Sequence, residues 1–182
     1  TETNNLNTGR YGIGSFGTYT ASIAASGYVT TVQTAVESWN GTSWSETAEL
    51  SQARFYSGGS KQGTITAGII FGGSDGSPED KTEIWNGVSW TEGNNLPTVR
   101  TYPAGMGTST AALSTGAFQS PSTYPNSTDQ WNGTSWTNLN VTQNTTRSVA
   151  SSVNAGSTTS ALIAGGQSPG ATANTETWDG SS

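Results

Sequence analysis

Short apolar runs, separated by clusters of glycine, serine, threonine and asparagine, recur along the whole chain. Two such runs occupy 64–71 and 110–113, and a run of small residues at 102–107 precedes the second of them. Runs of this length bounded by turn-forming residues are typical of β-strands. The pattern therefore predicts many short strands joined by glycine-rich turns, which is an all-β fold.

A Trp-Asn-Gly-Thr-Ser-Trp motif recurs at a fixed interval, and its copies contain all seven tryptophans of the chain. The first tryptophans, which follow one another at intervals of 46, 46 and 47 residues, are Trp39, Trp85, Trp131 and Trp178. One arginine per repeat keeps the same period: Arg10, Arg54, Arg100 and Arg147. An acid stands two residues before each first tryptophan: Glu37, Glu83, Asp129 and Glu176. The chain is therefore four copies of one structural unit.

Each repeat accommodates four short strands, the third ending at the first tryptophan and the fourth beginning at the second. Asn-Gly between them is the preferred sequence of a two-residue hairpin turn, because both central residues of that turn have positive φ. Four antiparallel strands in a period of about 40–50 residues are typical of a propeller blade. We expect an all-β β-propeller of four four-stranded blades, about 46 residues each, as a single domain over residues 1–182.

The two ends of the sequence complement each other. Residues 1–6, Thr-Glu-Thr-Asn-Asn-Leu, match residues 91–96, Thr-Glu-Gly-Asn-Asn-Leu, which directly follow Trp90. We therefore expect the N-terminal segment to form the outermost strand of the C-terminal blade, beside the strand that ends at Trp178, giving about sixteen strands. Such a strand would close the ring and remove two open sheet edges. The alternative is that the sequence is a window of a longer repeat array.

Several of these features resemble the kelch repeat: the doublets Gly72-Gly73 and Gly165-Gly166, the later tryptophan, and the arginine before the innermost strand. The chain departs from kelch repeats in its Trp-Asn-Gly turn, where a Tyr-Asp-Pro type turn is expected, and in the weak doublets of two repeats. It is most similar to the Trp-Asn-Gly-Thr-Ser-Trp repeat proteins of bacteriophages and environmental viruses. That resemblance implies a virion or fibre component.

Composition excludes most catalytic chemistry. The chain has no histidine and no cysteine, so Ser-His-Asp and Cys-His arrangements and thiolate metal sites are unavailable. Its six basic residues do not cluster, and the net charge of -6 argues against a nucleic-acid partner. No stretch approaches the roughly 20 apolar residues that span a bilayer. We expect no enzyme activity, no cofactor, no metal and no membrane insertion.

The residues that repeat are more simply explained by architecture than by ligand binding. The tryptophans could form a platform for stacking sugars, but their identical placement in every repeat favours packing of one blade on the next. The arginines and acids could line an ion-binding channel, but one of each per repeat favours ion pairs. Oxygen atoms of Asp75, Glu79 and Asp80 could bind Ca²⁺, although their spacing differs from an EF-hand and favours a solvated loop.

Function in such a scaffold is expected where the loops depart from the repeat. The loops between second and third strands vary most, and we expect them to share one face with the loops that carry the arginines. The non-repeating residues best suited to contact a ligand are Tyr28, Asp75, Asp80, Phe118, Tyr124 and Gln167. The leading hypothesis is a virion-surface or extracellular module that binds a glycan or a host-surface molecule. The alternative is a purely structural subunit of a fibre, capsid decoration or extracellular lattice, whose partners are other structural proteins.

Overall fold

The computed structural model describes residues 3–119, 123–149, 151–152 and 156–181, and every regular element in these ranges is a β-strand. The strands form four successive antiparallel sheets, each built from consecutive strands in chain order. The all-β prediction is confirmed, and the arrangement is consistent with a propeller-like fold. Within the described ranges there is no helix long and apolar enough to cross a membrane.

Each sheet corresponds to one sequence repeat. Sheet 1 contains β1 (Gly14–Thr18), β2 (Ala21–Ala25), β3 (Val36–Trp39) and β4 (Trp44–Glu46). Sheet 2 contains β5 (Gly58–Gly59), β6 (Gly68–Phe71), β7 (Thr82–Trp85) and β8 (Trp90–Glu92). Sheet 3 contains β9 (Ala104–Gly107), β10 (Ala112–Thr115), β11 (Ser127–Trp131) and β12 (Trp136–Thr142). Sheet 4 contains β13 (Ser151–Ser152), β14 (Ala161–Ala164) and β15 (Thr175–Trp178).

The predicted sixteenth strand stays a prediction. Thr1 and Glu2 lie outside the described residues, and the described part of that segment, from Thr3 to Leu6, is not assigned to a strand. This segment contacts sheet 1, where the side-chain amide of Asn4 donates a 2.8 Å hydrogen bond to the carbonyl of Thr42. Within the described residues, sheet 4 therefore has three strands, whereas each of the other sheets has four.

The turn at the Trp-Asn-Gly motif is longer than predicted. Trp39 pairs directly with Trp44, so four residues connect the strands, and the expectation of a two-residue turn is wrong. The side-chain oxygen of Asn40 accepts hydrogen bonds from the backbone N–H groups of Thr42 and Ser43, both at 2.9 Å. Only Gly41 in this turn has positive φ, at 94°. The asparagine is thus required for its side-chain acceptor rather than for a left-handed backbone.

The first tryptophan of each repeat closes the hairpin between the first two strands of its own sheet. The indole N–H of Trp39 donates to the carbonyl of Tyr19 at 2.9 Å. Trp85, Trp131 and Trp178 make the same bond to Ile65, Ser109 and Thr158, at 2.8 to 2.9 Å. A buried indole needs an acceptor for its N–H group, and this carbonyl supplies it in all four sheets.

Apolar side chains from facing sheets form the core. Phe16, Ile23 and Ile70 belong to a cluster between sheets 1 and 2, and Ile69 and Phe71 to one between sheets 2 and 3. A third cluster joins sheets 3 and 4. The first strands of neighbouring sheets, β1, β5, β9 and β13, contact one another in succession. The core is therefore a series of similar interfaces between successive sheets, not a single central layer.

A buried ion pair joins each repeat arginine to the acid of its own repeat. The pairs are Arg10 with Glu37, Arg54 with Glu83, Arg100 with Asp129, and Arg147 with Glu176. The four arginine side chains are at most 1% exposed. Burial lowers the pKa of Arg54 and Arg100, whereas the paired carboxylate opposes that shift. The carboxylate therefore offsets part of the cost of burying a charged guanidinium.

Removing the charge of one buried acid is expected to destabilise the protein strongly. Asp129→Asn leaves the Arg100 guanidinium buried without its counter-charge, and we expect a loss of about 3–5 kcal/mol in the free energy of unfolding. Replacing both partners, with Arg100→Met and Asp129→Leu, removes the cost of the unpaired charge but leaves the carbonyls of Gly116 and Ser127 without their donor, so we expect it to recover only part of that loss. Urea unfolding at pH 7, with the m-value checked for constancy, measures both effects.

The exposed acid Glu46 on β4 provides the matched control. Glu46→Gln removes one negative charge from the surface and should change the free energy of unfolding by no more than about 0.5 kcal/mol. If Asp129→Asn proved as mild as Glu46→Gln, the ion pair would not have the structural importance assigned to it.

Candidate binding face

Two sets of loops meet at one end of the sheets. The residue after each repeat arginine exchanges two backbone hydrogen bonds with a residue in the loop between second and third strands, at 2.7 to 3.2 Å. The four pairs are Tyr11 with Tyr28, Phe55 with Ser74, Thr101 with Phe118, and Ser148 with Gln167. The two loop sets thus share one surface, as the sequence led us to expect; we call it the loop face.

The buried side chains of the repeat arginines bond to the loops of the loop face and hold them in place. The Nε of Arg10 donates to the carbonyl of Ser26, in the loop after β2, at 2.9 Å. The guanidinium of Arg100 donates to the carbonyls of Gly116 and Ser127 at 3.1 and 3.0 Å, at the two ends of the equivalent loop. These donors are buried and already bonded to protein acceptors. The arginines therefore position the loops and do not present charge to an external anion.

Five aromatic rings form a continuous group on the loop face. We call Tyr11, Tyr28, Phe55, Tyr56 and Tyr102 the aromatic cluster. Ring centroids are 5.4 Å apart for Tyr11 and Tyr28, 5.4 Å for Tyr28 and Phe55, and 4.4 Å for Phe55 and Tyr56. Tyr56 stacks on Tyr102 at 3.9 Å. Tyr11 is 53% exposed, and the other four rings are half-buried, so the cluster presents an aromatic surface to solvent.

Hydrogen bonds between successive sheets run beneath this cluster. The N–H of Tyr56 donates to the carbonyl of Gly12 at 2.6 Å, that of Tyr102 to Tyr56 at 3.0 Å, and that of Val149 to Tyr102 at 3.3 Å. All four residues stand two positions after a repeat arginine and have left-handed backbones, with φ of 57° to 69°. A left-handed backbone strains residues other than glycine, so the surrounding contacts must hold three of the four positions there.

Burial and hydrogen bonding disfavour ionisation of the Tyr102 hydroxyl. Desolvation raises the pKa of Tyr102 above its ordinary value, and a hydrogen bond with Tyr56 raises it further. A tyrosine that resists ionisation stays neutral at physiological pH, where its hydroxyl both donates and accepts hydrogen bonds. The cluster thus offers apolar ring faces together with neutral polar groups.

The other two predicted aromatic residues form a separate pair. The rings of Phe118 and Tyr124 meet edge to face, with centroids 5.5 Å apart, in the loop between β10 and β11. Both are half-buried. Of the three aromatic residues predicted from the sequence, only Tyr28 is in the aromatic cluster.

The predicted polar residues are also on loops of this face, but mostly satisfy local bonds. A carboxylate oxygen of Asp75 accepts from the N–H of Ser77 at 3.1 Å, and Asp80 pairs with Lys81 at 3.5 Å. The amide of Gln167 donates to the carbonyl of Pro169 at 3.1 Å. Partial burial, followed by the charge of Asp75, raises the pKa of Glu79. Among the described residues, no three acidic side chains form a group that could hold a metal ion.

Four of the five residues in the aromatic cluster were missed in the sequence. Tyr11, Phe55, Tyr56 and Tyr102 lie one or two positions after a repeat arginine, in three of the four repeats. That recurrence was a usable signal, because the loop after the arginine was already expected on this face. The four residues lie in the repeated part of the sequence. The prediction considered only the variable loops between second and third strands and therefore did not include them.

Comparison with known proteins adds no family assignment. No protein-family model matches the chain. No curated protein matches it significantly by sequence.

The strain at the left-handed positions can be tested at Val149, whose side chain is 53% exposed and carries a β-branched group at a φ of 57°. Val149→Gly removes the clash between Cβ and the backbone, which costs about 1–2 kcal/mol in a left-handed conformation. The added chain entropy of glycine offsets part of this gain. We expect the free energy of unfolding to rise by about 1 kcal/mol in urea denaturation.

Val88 serves as the control, since it is 79% exposed and lies outside the set of positive-φ residues. Val88→Gly should lower the free energy of unfolding by about 0.5–1 kcal/mol, through chain entropy alone. Equal destabilisation by both substitutions would contradict the assignment of strain to Val149.

Proposed function

We propose that the protein is a non-enzymatic binding module of a virion surface or another extracellular structure, and that it recognises a glycan or a host-surface molecule through the loop face. The observation that supports this most directly is the aromatic cluster, in which five rings from two neighbouring loop sets form one surface. Rigid sheets that present variable loops are a common basis for recognition. The resemblance to viral Trp-Asn-Gly-Thr-Ser-Trp repeat proteins supports the proposed location on a virion surface or another extracellular structure.

The chemistry of the cluster favours a neutral sugar over an anionic one. The apolar faces of sugar rings pack well on aromatic rings, and tyrosine hydroxyls supply hydrogen bonds at the rim. The chain carries a net charge of -6, and Asp75, Glu79 and Asp80 lie in a loop of the same face. This negative electrostatic field opposes the binding of sialylated or sulfated glycans. No catalytic step is proposed, since the chain has neither histidine nor cysteine.

We further propose that the sheets are kelch-like blades of a four-bladed propeller, closed by the N-terminal segment as the outer strand of blade 4. The contacts of that segment with sheet 1 support this, because they repeat contacts seen between other blades. Asn4 bonds to the carbonyl of Thr42 as Asn94 bonds to that of Thr134. The N–H of Asn7 donates to Glu37 at 2.7 Å, as that of Ser51 donates to Glu83 at 2.8 Å.

One observation favours the alternative, a structural subunit of a fibre, capsid decoration or lattice. Leu162 in β14 is half-buried, whereas the equivalent residues Ile23, Ile69 and Leu113 are at most 1% exposed beneath the next sheet. This side of sheet 4 retains apolar surface that a neighbouring subunit could cover. In a closed ring, sheet 1 of the same molecule would cover this side of sheet 4.

Removing rings from the aromatic cluster tests the proposed binding function. The double variant Tyr11→Ala/Tyr28→Ala takes away two stacking surfaces without touching the buried arginines. On an array of neutral glycans, we expect binding to fall about tenfold or more relative to the unchanged protein, as for truncation of aromatic anchors in other interfaces. The unfolding midpoint should confirm that the variant remains folded.

Tyr19→Ala is the matched control, because Tyr19 is 92% exposed in the loop between β1 and β2, at the opposite end of the strands. It should bind like the unchanged protein. A second double variant, Phe118→Ala/Tyr124→Ala, tests the separate aromatic pair. If Tyr19→Ala abolished binding and both loop-face variants retained it, the functional face would be at the other end of the sheets. If all variants bound no glycan but a particle-assembly assay failed only with loop-face variants, the structural alternative would hold.

A further inference from the structure

Tyr56 and Tyr102 occupy equivalent positions in neighbouring repeats, two residues after the repeat arginine. Their rings stack with centroids 3.9 Å apart and an interplanar angle of 29°. This is the shortest centroid distance between aromatic rings in the part of the chain that the structure describes, since the next is 4.4 Å. Two phenol rings from different repeats therefore lie in direct contact on the loop face.

The backbone holds both rings in this arrangement. The N–H of Tyr102 donates to the carbonyl of Tyr56 at 3.0 Å, which fixes the spacing of the two residues. Both residues have the same left-handed φ of 58°, so their side chains leave the two loops at similar angles. The Tyr56 ring also lies against Gly12, where an added Cβ would come within 2.8 Å of a ring carbon. The stacked pair is thus confined by neighbouring backbone.

The polar ends of the two rings also meet. The hydroxyl of Tyr102 shares a hydrogen bond with Tyr56. In a phenol, the ortho carbons are next to the carbon that bears the hydroxyl group, so stacked rings with bonded hydroxyls bring their ortho carbons together. These carbons carry much of the unpaired electron density of a phenoxyl radical, and two such radicals couple there. The pair is therefore aligned for formation of a carbon–carbon bond.

The other tyrosines are less suited to this coupling. Tyr11 lies 5.4 Å from Tyr28 and 6.0 Å from Tyr56 between ring centroids, with interplanar angles of 43° and 46°. Rings that are tilted and farther apart hold their ortho carbons at a greater distance. Tyr19 is 92% exposed at the opposite end of the strands, and Tyr124 packs on a phenylalanine, which cannot form a phenoxyl radical. One pair is therefore expected to dominate.

We propose that Tyr56 and Tyr102 form a site of oxidative cross-linking, at which a peroxide oxidant joins sheets 2 and 3 through a dityrosine bond. Each phenol loses one electron and its hydroxyl proton. The two phenoxyl radicals form one bond between ortho carbons, and the hydrogen on each of these carbons moves to its phenoxyl oxygen, which restores both hydroxyls. The peroxide takes up the two electrons as its O–O bond breaks, and the two phenol protons go to the cleaved oxygens or to buffer. This site does not depend on glycan binding by the loop face.

The test oxidises the whole chain, in dilute solution, with peroxydisulfate and a photoexcited ruthenium complex, and then digests it with trypsin. Cleavage after arginine and lysine places Tyr56 in peptide 55–61, and Tyr102 in peptide 101–147 together with Tyr124. By mass spectrometry we expect these two peptides as one species, lighter than their sum by two hydrogen atoms, with fragment ions that locate the bond at Tyr102. Its yield should exceed that of any other tyrosine pair about tenfold or more, because alignment replaces random encounter.

Two tyrosines of the aromatic cluster provide matched variants. Tyr56→Phe keeps a ring in the stack but cannot form a phenoxyl radical, so the joined peptide should disappear while the circular dichroism stays that of the folded protein. Tyr28→Phe removes a hydroxyl from the same cluster and should leave the yield unchanged. Oxidation in urea, at a concentration that unfolds the chain, should lower the yield about tenfold or more, since the alignment is lost. Equal yields from folded and unfolded chain, or a dominant product at another tyrosine pair, would overturn the proposal.

The dityrosine bond should also stabilise the protein. It closes a loop of one repeat length, and a covalent cross-link restricts the unfolded chain. By analogy with disulfides that close loops of similar length, we expect the unfolding midpoint of the purified cross-linked chain to rise by about 6–12 °C. Tyr56→Phe carried through the same oxidation is the control for other oxidative damage. A midpoint that stayed level or fell would mean that the bond distorts native contacts, and would contradict the alignment of the two rings.

Discussion

The buried pair of one arginine and one acid is the interaction on which each sheet depends. Desolvating a guanidinium is costly unless a carboxylate and several acceptors surround it, so the geometry around it is narrowly fixed. In this chain the partners are the acid on the third strand and carbonyls of the loop after the second strand, as Arg100 illustrates with Asp129 and Gly116. A single side chain thereby sets the positions of two loops and one strand.

This anchoring explains why variable residues can form a defined surface. The indole bond from the first tryptophan fixes the opposite end of each sheet, as with Trp39 and the carbonyl of Tyr19. With both ends fixed by repeating residues, the positions just after the arginine can differ between repeats without loss of the fold. Tyr11 and Phe55 occupy one such position, and Thr101 and Ser148 occupy it in the other repeats. The aromatic cluster is thus a variable feature supported by invariant contacts.

The regular part of this architecture could be predicted from the sequence, and the irregular part could not. The period of the tryptophan motif places the four sheets, because a repeated hydrophobic pattern must bury the same faces each time. The asparagine turn was misjudged, since Asn-Gly suits two different turns and only the pairing of Trp39 with Trp44 decides between them. The left-handed backbone of Tyr56 and Val149 has no local sequence signal. Tertiary hydrogen bonds between neighbouring sheets impose it, and these depend on the assembled array.

Packing between neighbouring sheets has a direction, because the second tryptophan of a motif copy packs on the sheet that precedes its own. Trp90 and Trp136 both reach back to the preceding sheet, so every interface needs the fourth strand of the sheet that follows it. The ring of Trp44 in sheet 1 lies 5.4 Å from that of Trp39 at an interplanar angle of 42°, and Trp44 lines a cavity of about 180 Å³ with Ser15 and Ser22. An interface is therefore complete only when a following sheet contributes its indole.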